Sequence, residues 1–215
     1  MWLLPVIAGM SAGPLAYQSA LGFRLTLPDG FAKSAEFPRQ PTAAAAPAPT
    51  GAKVVLDSVF TEGRGPAAAS LAIAVVETPL VLDNSSPERV AALAIDYLHD
   101  QLDADLRIEW VERVPAGPGE AMELAGRVQV GEEDRVAQFA FVPFGNRQVV
   151  LTASLPSSRF AVLGPAVERS LASLTFDRPP SANSGRRAAV GAAIGGLVGL
   201  LVVAARYLSQ RLRVS

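Results

Sequence analysis

Four short runs between Arg107 and Leu155 constrain the fold more than anything else in the chain. Arg107–Val114, Ala121–Val130, Arg135–Val142 and Gln148–Leu155 are linked by "PAGPG", "GEED" and "PFGN". A parallel crossover needs a dozen or more residues, usually a helix, so linkers this short leave antiparallel neighbours, and Gly, Pro, Asp and Asn suit the tight turns between them. The spacing predicts a four-stranded meander.

Upstream, Lys53–Phe60 and Ala69–Thr78 are rich in Val, Ile, Leu and Ala on either side of "TEGRGP", which predicts a hairpin whose apolar density suits the interior of a sheet. In "GFRLTLPDGF", Phe23, Leu25 and Leu27 alternate with Arg24 and Thr26, the pattern of a half-buried strand stopped by Pro28, Asp29 and Gly30. Two helices are expected. In "NSSPERVAALAIDYLHDQL", Ser86 caps and Pro87 takes the first helical position, ahead of an apolar stripe of Val90, Leu93, Ala94, Tyr97, Leu98 and Leu102. In "SLPSSRFAVLGPAVERSLASLTF", Pro165 is expected to open the second helix at its first position, with Val167 and Leu171 facing inward and Phe160 and Leu163 in a short turn ahead of it. Residues 38–52, "PRQPTAAAAPAPTGA", lack apolar periodicity and read as an insertion inside the domain rather than a boundary.

These elements define an α+β domain over residues 17–177, an antiparallel sheet flanked by helices. "YQSALGFRLTLPDGF", "PERVAALAIDYLHDQL" and "RQVVLTASLPSSRFAVLGPAVERSLASLTF" together resemble the PsbP-like superfamily, the group of PsbP and its DcrB-type bacterial relatives, from Tyr17 to Phe176. The resemblance implies an α/β/α sandwich that serves as a non-catalytic docking or assembly module. It supplies no binding residues, because its motifs are patterns of apolar residues, Pro and Gly. The chain departs from that pattern in its Pro/Ala insertion, its apolar C-terminal segment and its lack of a lipoprotein cysteine.

After a linker over residues 178–187, residues 188–205 form an uncharged run of 18 residues. As a helix it spans about 27 Å, close to the ~30 Å hydrocarbon core of a bilayer. A single C-terminal transmembrane helix is therefore expected, in contact with lipid, followed by a basic tail over residues 206–215. Gly191, Gly195 and Gly199 fall on one face of that helix, where missing side chains permit close backbone approach. That face suits a homodimer contact; the same glycines are also ordinary in an Ala-rich membrane helix.

Residues 1–16 are apolar and uncharged, which fits a degenerate export signal, while Met10 offers a second start; both readings stand. Arg178, Arg186 and Arg187 on one flank of the span balance Arg206, Arg211 and Arg213 on the other, so charge does not orient it. The reading leans to a tail anchor with the domain in the cytoplasm.

A net charge of −1 and no basic cluster interleaved with aromatics disfavour a nucleic-acid partner. The chain has no cysteine, which removes disulfides, thiolate chemistry and thiolate metal sites. His99 is the sole histidine, and no G-x-S-x-G turn accompanies it. Asp100, Asp103 and Asp105 lack the glycine and terminal glutamate of a calcium loop, the "GEED" acids read as a solvated hairpin tip, and no phosphate-binding glycine pattern opens a helix. No catalytic residue, metal or cofactor is expected.

The remaining function is contact: a membrane-anchored module that binds a protein partner, with Trp110, Phe141 and Phe144 as aromatic positions for a partner surface. The alternative is a tethered carrier or sensor of a small hydrophobic ligand, which requires an enclosed cavity of roughly 300 Å³ or more.

Overall fold

The computed structural model describes residues 15–34, 54–65, 67–76, 106–130, 133–144 and 147–177. Ten strands and one helix lie in this part. The strands are β1 (Ala16–Gln18), β2 (Phe23–Thr26), β3 (Ala32–Lys33), β4 (Val54–Glu62), β5 (Ala69–Val76), β6 (Leu106–Ala116), β7 (Gly119–Val130), β8 (Glu133–Phe144), β9 (Arg147–Pro156) and β10 (Thr175–Phe176). A 3₁₀ turn over Ser157–Arg159 leads into α1 (Phe160–Ala172). The helix expected over residues 86–102, the 38–52 insertion and the 188–205 span lie outside the described residues. Among those described, no helix is long and apolar enough to cross a membrane.

The meander forms as its linkers require: β6, β7, β8 and β9 pair successively and antiparallel. The β4–β5 hairpin forms too, and β5 pairs with β9, giving a seven-stranded sheet in the order β3-β4-β5-β9-β8-β7-β6. Every residue of β5 is buried, in keeping with a sequence that is apolar at every position but Ser70. Both faces of the central strands are closed to solvent. One face carries Ile73, Leu151 and Ala140, and the other carries Ala74, Val150 and Phe141. The second face also holds Arg135, whose side chain is fully buried. It donates to the Ser154 hydroxyl and to the carbonyls of Ala68 and Ser154, and pairs with Glu133, so the charge is taken up where its burial would otherwise cost several kcal/mol.

The strand read from "GFRLTLPDGF" alternates as expected, with Phe23 and Leu25 buried and Arg24 exposed. It belongs, however, to a separate three-stranded sheet, β1-β2-β10. This small sheet and α1 cover the first face of the large one, so that Phe23, Leu25, Leu163, Val167 and Leu171 share a core with Leu71, Ile73 and Leu151. Tyr17 pins β1 to β4: its ring meets Phe60 edge-on at 4.9 Å, and its hydroxyl lies 2.7 Å from Asp57 and 2.6 Å from Ser58. Burial, assisted by the hydrogen bond to Asp57, pushes its pKa up to about 12.

The expectation for Pro165 is corrected. The helix starts five residues earlier, at Phe160, and Pro165 lies inside it. A proline there forfeits its hydrogen bond to Ala161, but Ala161 and Pro165 are both exposed, leaving that carbonyl to water. The residue before it is Gly164, which has no Cβ to clash with the proline ring.

Gly117 fixes the β6–β7 turn against the end of α1. Its φ of +53° favours glycine, and a Cβ at this position would strike the carbonyl oxygen of Leu174. Gly117→Ala should cost about 2 kcal/mol or more, combining a strained φ with overpacking. Urea unfolding reads this directly, and an unchanged midpoint would contradict the packing described.

Candidate functional site

A β-bulge decides where Trp110 goes. In an unbroken strand, residues 108 and 110 share a face. In β6 the register shifts between Ile108, opposite Gly126, and Trp110, opposite Ala125, so the two residues sit on opposite faces and Trp110 joins the side covered by α1. Gly126 makes the bulge possible, because a Cβ there would collide with the backbone of Arg107.

Trp110 is half-buried and meets Phe160 with ring centroids 5.8 Å apart and planes at 48°. One turn along α1, Gly164 leaves room for the Phe160 ring, whose nearest carbon would be 2.9 Å from a Cβ. Glu123 lies behind this aromatic pair on β7, directly across from Glu112 of β6, and is 3 % exposed. The Gln138 amide donates to Glu123 at 3.2 Å, and the Trp110 side chain donates to the same carboxylate. The other end of the amide, Gln138 Oε1, is buried without a partner.

A cavity of about 10 Å³ lies here, room for about one water. Glu123, Gln138, Ala140, Leu151, Val167 and Glu168 line it. Glu168 projects from α1 and is exposed. Burial raises the Glu123 pKa, and the charge of Glu168, then that of Glu112, adds to the rise; the hydrogen bonds from Gln138 and Trp110 oppose it. Among the described residues, neither lysine nor arginine forms an ion pair with Glu112, Glu123 or Glu168. The site therefore sets a buried carboxyl and an unpartnered amide oxygen beside a small space whose surface is mostly apolar.

The three aromatic residues proposed for a partner surface are not brought together. Trp110 is in this site. Phe141 is 0 % exposed, on the opposite face of the sheet between Met122 and Val150. Phe144 stacks on Phe176 at 4.3 Å and 10°, joining the small sheet to the large one. Gly191, Gly195, Gly199 and His99, with Asp100, Asp103 and Asp105, lie outside the described residues. Glu123, Gln138 and Glu168 were not anticipated. Their signal was parity: Glu123 falls in phase with the inward Ala121 and Ala125, and Gln138 with Val136 and Ala140. Polar residues in step with an apolar face mark a buried polar site.

The raised pKa of Glu123 sets a direction. The folded state keeps a proton that the unfolded chain has lost, so this group's contribution is full below the ordinary carboxyl pKa and is lost as pH rises through the folded value. Glu123→Gln should therefore be more stable than the parent protein at pH 7, with the difference shrinking as the pH is lowered to 4. Urea titrations at the two pH values read the sign, and a variant less stable at pH 7 would show that the carboxylate is neutralised.

The fold is PsbP-like. The solution structure of cyanobacterial PsbP (CyanoP) from Synechocystis matches with a TM-score of 0.55 at 17% identity, over 80% of this chain and 98% of that one. At this identity the likeness is one of fold. LpqN from Mycobacterium tuberculosis, involved in cell envelope biogenesis, is more distant, with a TM-score of 0.45 and 12% identity over 72% of this chain and 82% of that one. The Saccharomyces cerevisiae Ran-binding protein Mog1p also has a TM-score of 0.45, at 11% identity over 76% and 96%. No protein-family model matches the chain, and no curated protein sequence does.

Proposed function

We propose that this domain is a non-catalytic docking module that binds a protein partner through the α1 side, and that residues 188–205 hold it at a bilayer as a single-pass C-terminal anchor with the domain in the cytoplasm. The outer face of α1 carries the docking reading. A surface helix ordinarily turns charged residues to solvent. Here Ala161, Val162, Pro165 and Ala172 are exposed, Val162 at 73 %, and Glu168 and Arg169 are the only charges in the helix. The half-buried Trp110–Phe160 pair lies at the flank of the same helix. An apolar ridge bordered by aromatics and acids is the composition of an interface core with a polar rim.

The apolar run of residues 188–205 and its arginine flanks support the anchor. Confinement at a bilayer raises the effective concentration of the domain for a partner on the same surface. A carrier of a hydrophobe needs a cavity of roughly 300 Å³ or more, and among the described residues the space beneath α1 is about 10 Å³.

A photo-crosslinking residue at position 162 in the full-length chain, in cells, should capture a discrete protein, while one at the exposed Glu120 near the start of β7 should not; equal labelling from both positions would contradict docking through α1. Truncation after Pro180 should release a folded domain from the membrane fraction. Recovery of the shortened chain in washed membranes would contradict a single C-terminal anchor.

A further inference from the structure

We propose that Glu123 and Gln138 form a pH-sensitive latch beneath α1: while the Glu123 carboxyl keeps its proton, it and the Gln138 amide hold each other through two hydrogen bonds, and loss of that proton breaks one bond and loosens the helix. The latch lies outside the docking reading and stands on the contacts of the two side chains. Each is 3 % exposed, and they come from the neighbouring strands β7 and β8. One bond is in place: the Gln138 amide nitrogen donates to a Glu123 carboxyl oxygen at 3.2 Å. The other end of the amide, Oε1, is buried without a partner. Ala140, Leu151, Ala153, Val167 and Leu171, which share the adjoining cavity with the pair, have no side-chain donor to give it. A protonated carboxyl does. An acid and a primary amide are complementary edge to edge, the acid O–H donating to the amide oxygen while the amide N–H donates back. The proton thus answers an acceptor whose burial is otherwise unfavourable.

Ionisation reverses this. The carboxylate can only accept, so the amide oxygen loses its donor, and the adjoining space of about 10 Å³, mostly apolar, admits about one water. Among the described residues, the charged groups that act on Glu123 are both acids, Glu112 opposite it on β6 and Glu168 on α1. β8 and β9 present Gln138, Ala140, Leu151 and Ala153, while Arg127, farther along β7, is paired with Glu109. Trp110 of β6 donates to the carboxyl. Glu112 is held in the same sheet as Glu123, whereas Glu168 rides on the helix, so repulsion from a new carboxylate acts to part α1 from the sheet. The contacts that give way are those of Val167 and Leu171 in the core they share with Leu151.

The latch is closed at low pH. Because burial and the two acids hold the Glu123 midpoint above the ordinary carboxyl range, opening grows easier as pH rises from that range to the folded midpoint and is complete there. Hydrogen exchange of the α1 backbone amides, followed by NMR in the full-length protein in detergent micelles and corrected for the intrinsic pH dependence of exchange, reads the opening. Exchange in α1 should speed up about tenfold per pH unit across that window and then level off, by more than in β8. Glu123→Gln, whose amide supplies the missing donor at every pH, should abolish the acceleration and keep α1 at its slow, low-pH rate. Glu168→Gln, an exposed substitution, should bring the plateau to lower pH. Exchange in α1 that is independent of pH would overturn the proposal. So would an equal acceleration in α1 and β8, which reports unfolding of the whole domain, or an undiminished acceleration in Glu123→Gln, which assigns the titration to another group.

Discussion

The covering layer of this domain is held because its two ends meet in it. β2, near the start, has no place in the seven-stranded sheet; its partners are β1 and β10, the latter formed by Thr175 and Phe176 at the close. Ser170 of α1 donates to the Thr26 carbonyl, the Thr26 amide donates to Ser173, and the Asp177 amide donates to Gly22. Each end thus satisfies backbone groups that the other would leave unpaired, and together they bury Phe23, Leu25, Val167 and Leu171 against the large sheet. These contacts link residues about 150 positions apart, so closing the layer carries a larger chain-entropy cost than pairing the local meander.

Two bulges set what the covering layer meets. In β4 the register shifts between Leu56 and Ser58, bringing Asp57 and Ser58 to the Tyr17 hydroxyl; in β6 the shift turns Trp110 toward α1. The first site is closed, with each polar group paired. The second is open in a chemical sense, since Glu123 is buried opposite Glu112 and near Glu168 with only neutral donors against it. Apolar or amide side chains at these positions would give a more stable sheet.

The large sheet was legible in the sequence because its determinants are local. Linker length dictates antiparallel pairing, and the apolar stretch from Leu71 to Val76 in β5 reports burial on both faces. The separate small sheet was not legible, because a four-residue strand such as β2 reads the same whichever sheet it joins and its partner β10 has only two residues. Proline chemistry misplaced the start of α1, since the rule that favours proline in a first turn gives no weight to Gly164 ahead of it or to water at Ala161. The site beneath α1 was half legible. Trp110 stood out by type, whereas Glu123 and Gln138 were missed, and the bulge that turns Trp110 toward them depends on Gly126 packing against the Arg107 backbone of the neighbouring strand. Phe141 and Phe144 show the limit of type alone: one is core and the other a joint between sheets.

The central claim is that a carboxylate is buried beneath α1 without a cation to balance it. Carbon-13 NMR titration of the Glu123 side-chain carboxyl in the full-length protein tests this most directly. The account predicts a midpoint above the ordinary glutamate range that moves down when Glu168 is replaced by Gln, as the neighbouring negative charge is removed. A midpoint at or below the ordinary range, indifferent to residue 168, would mean that the charge is already met and would contradict the account.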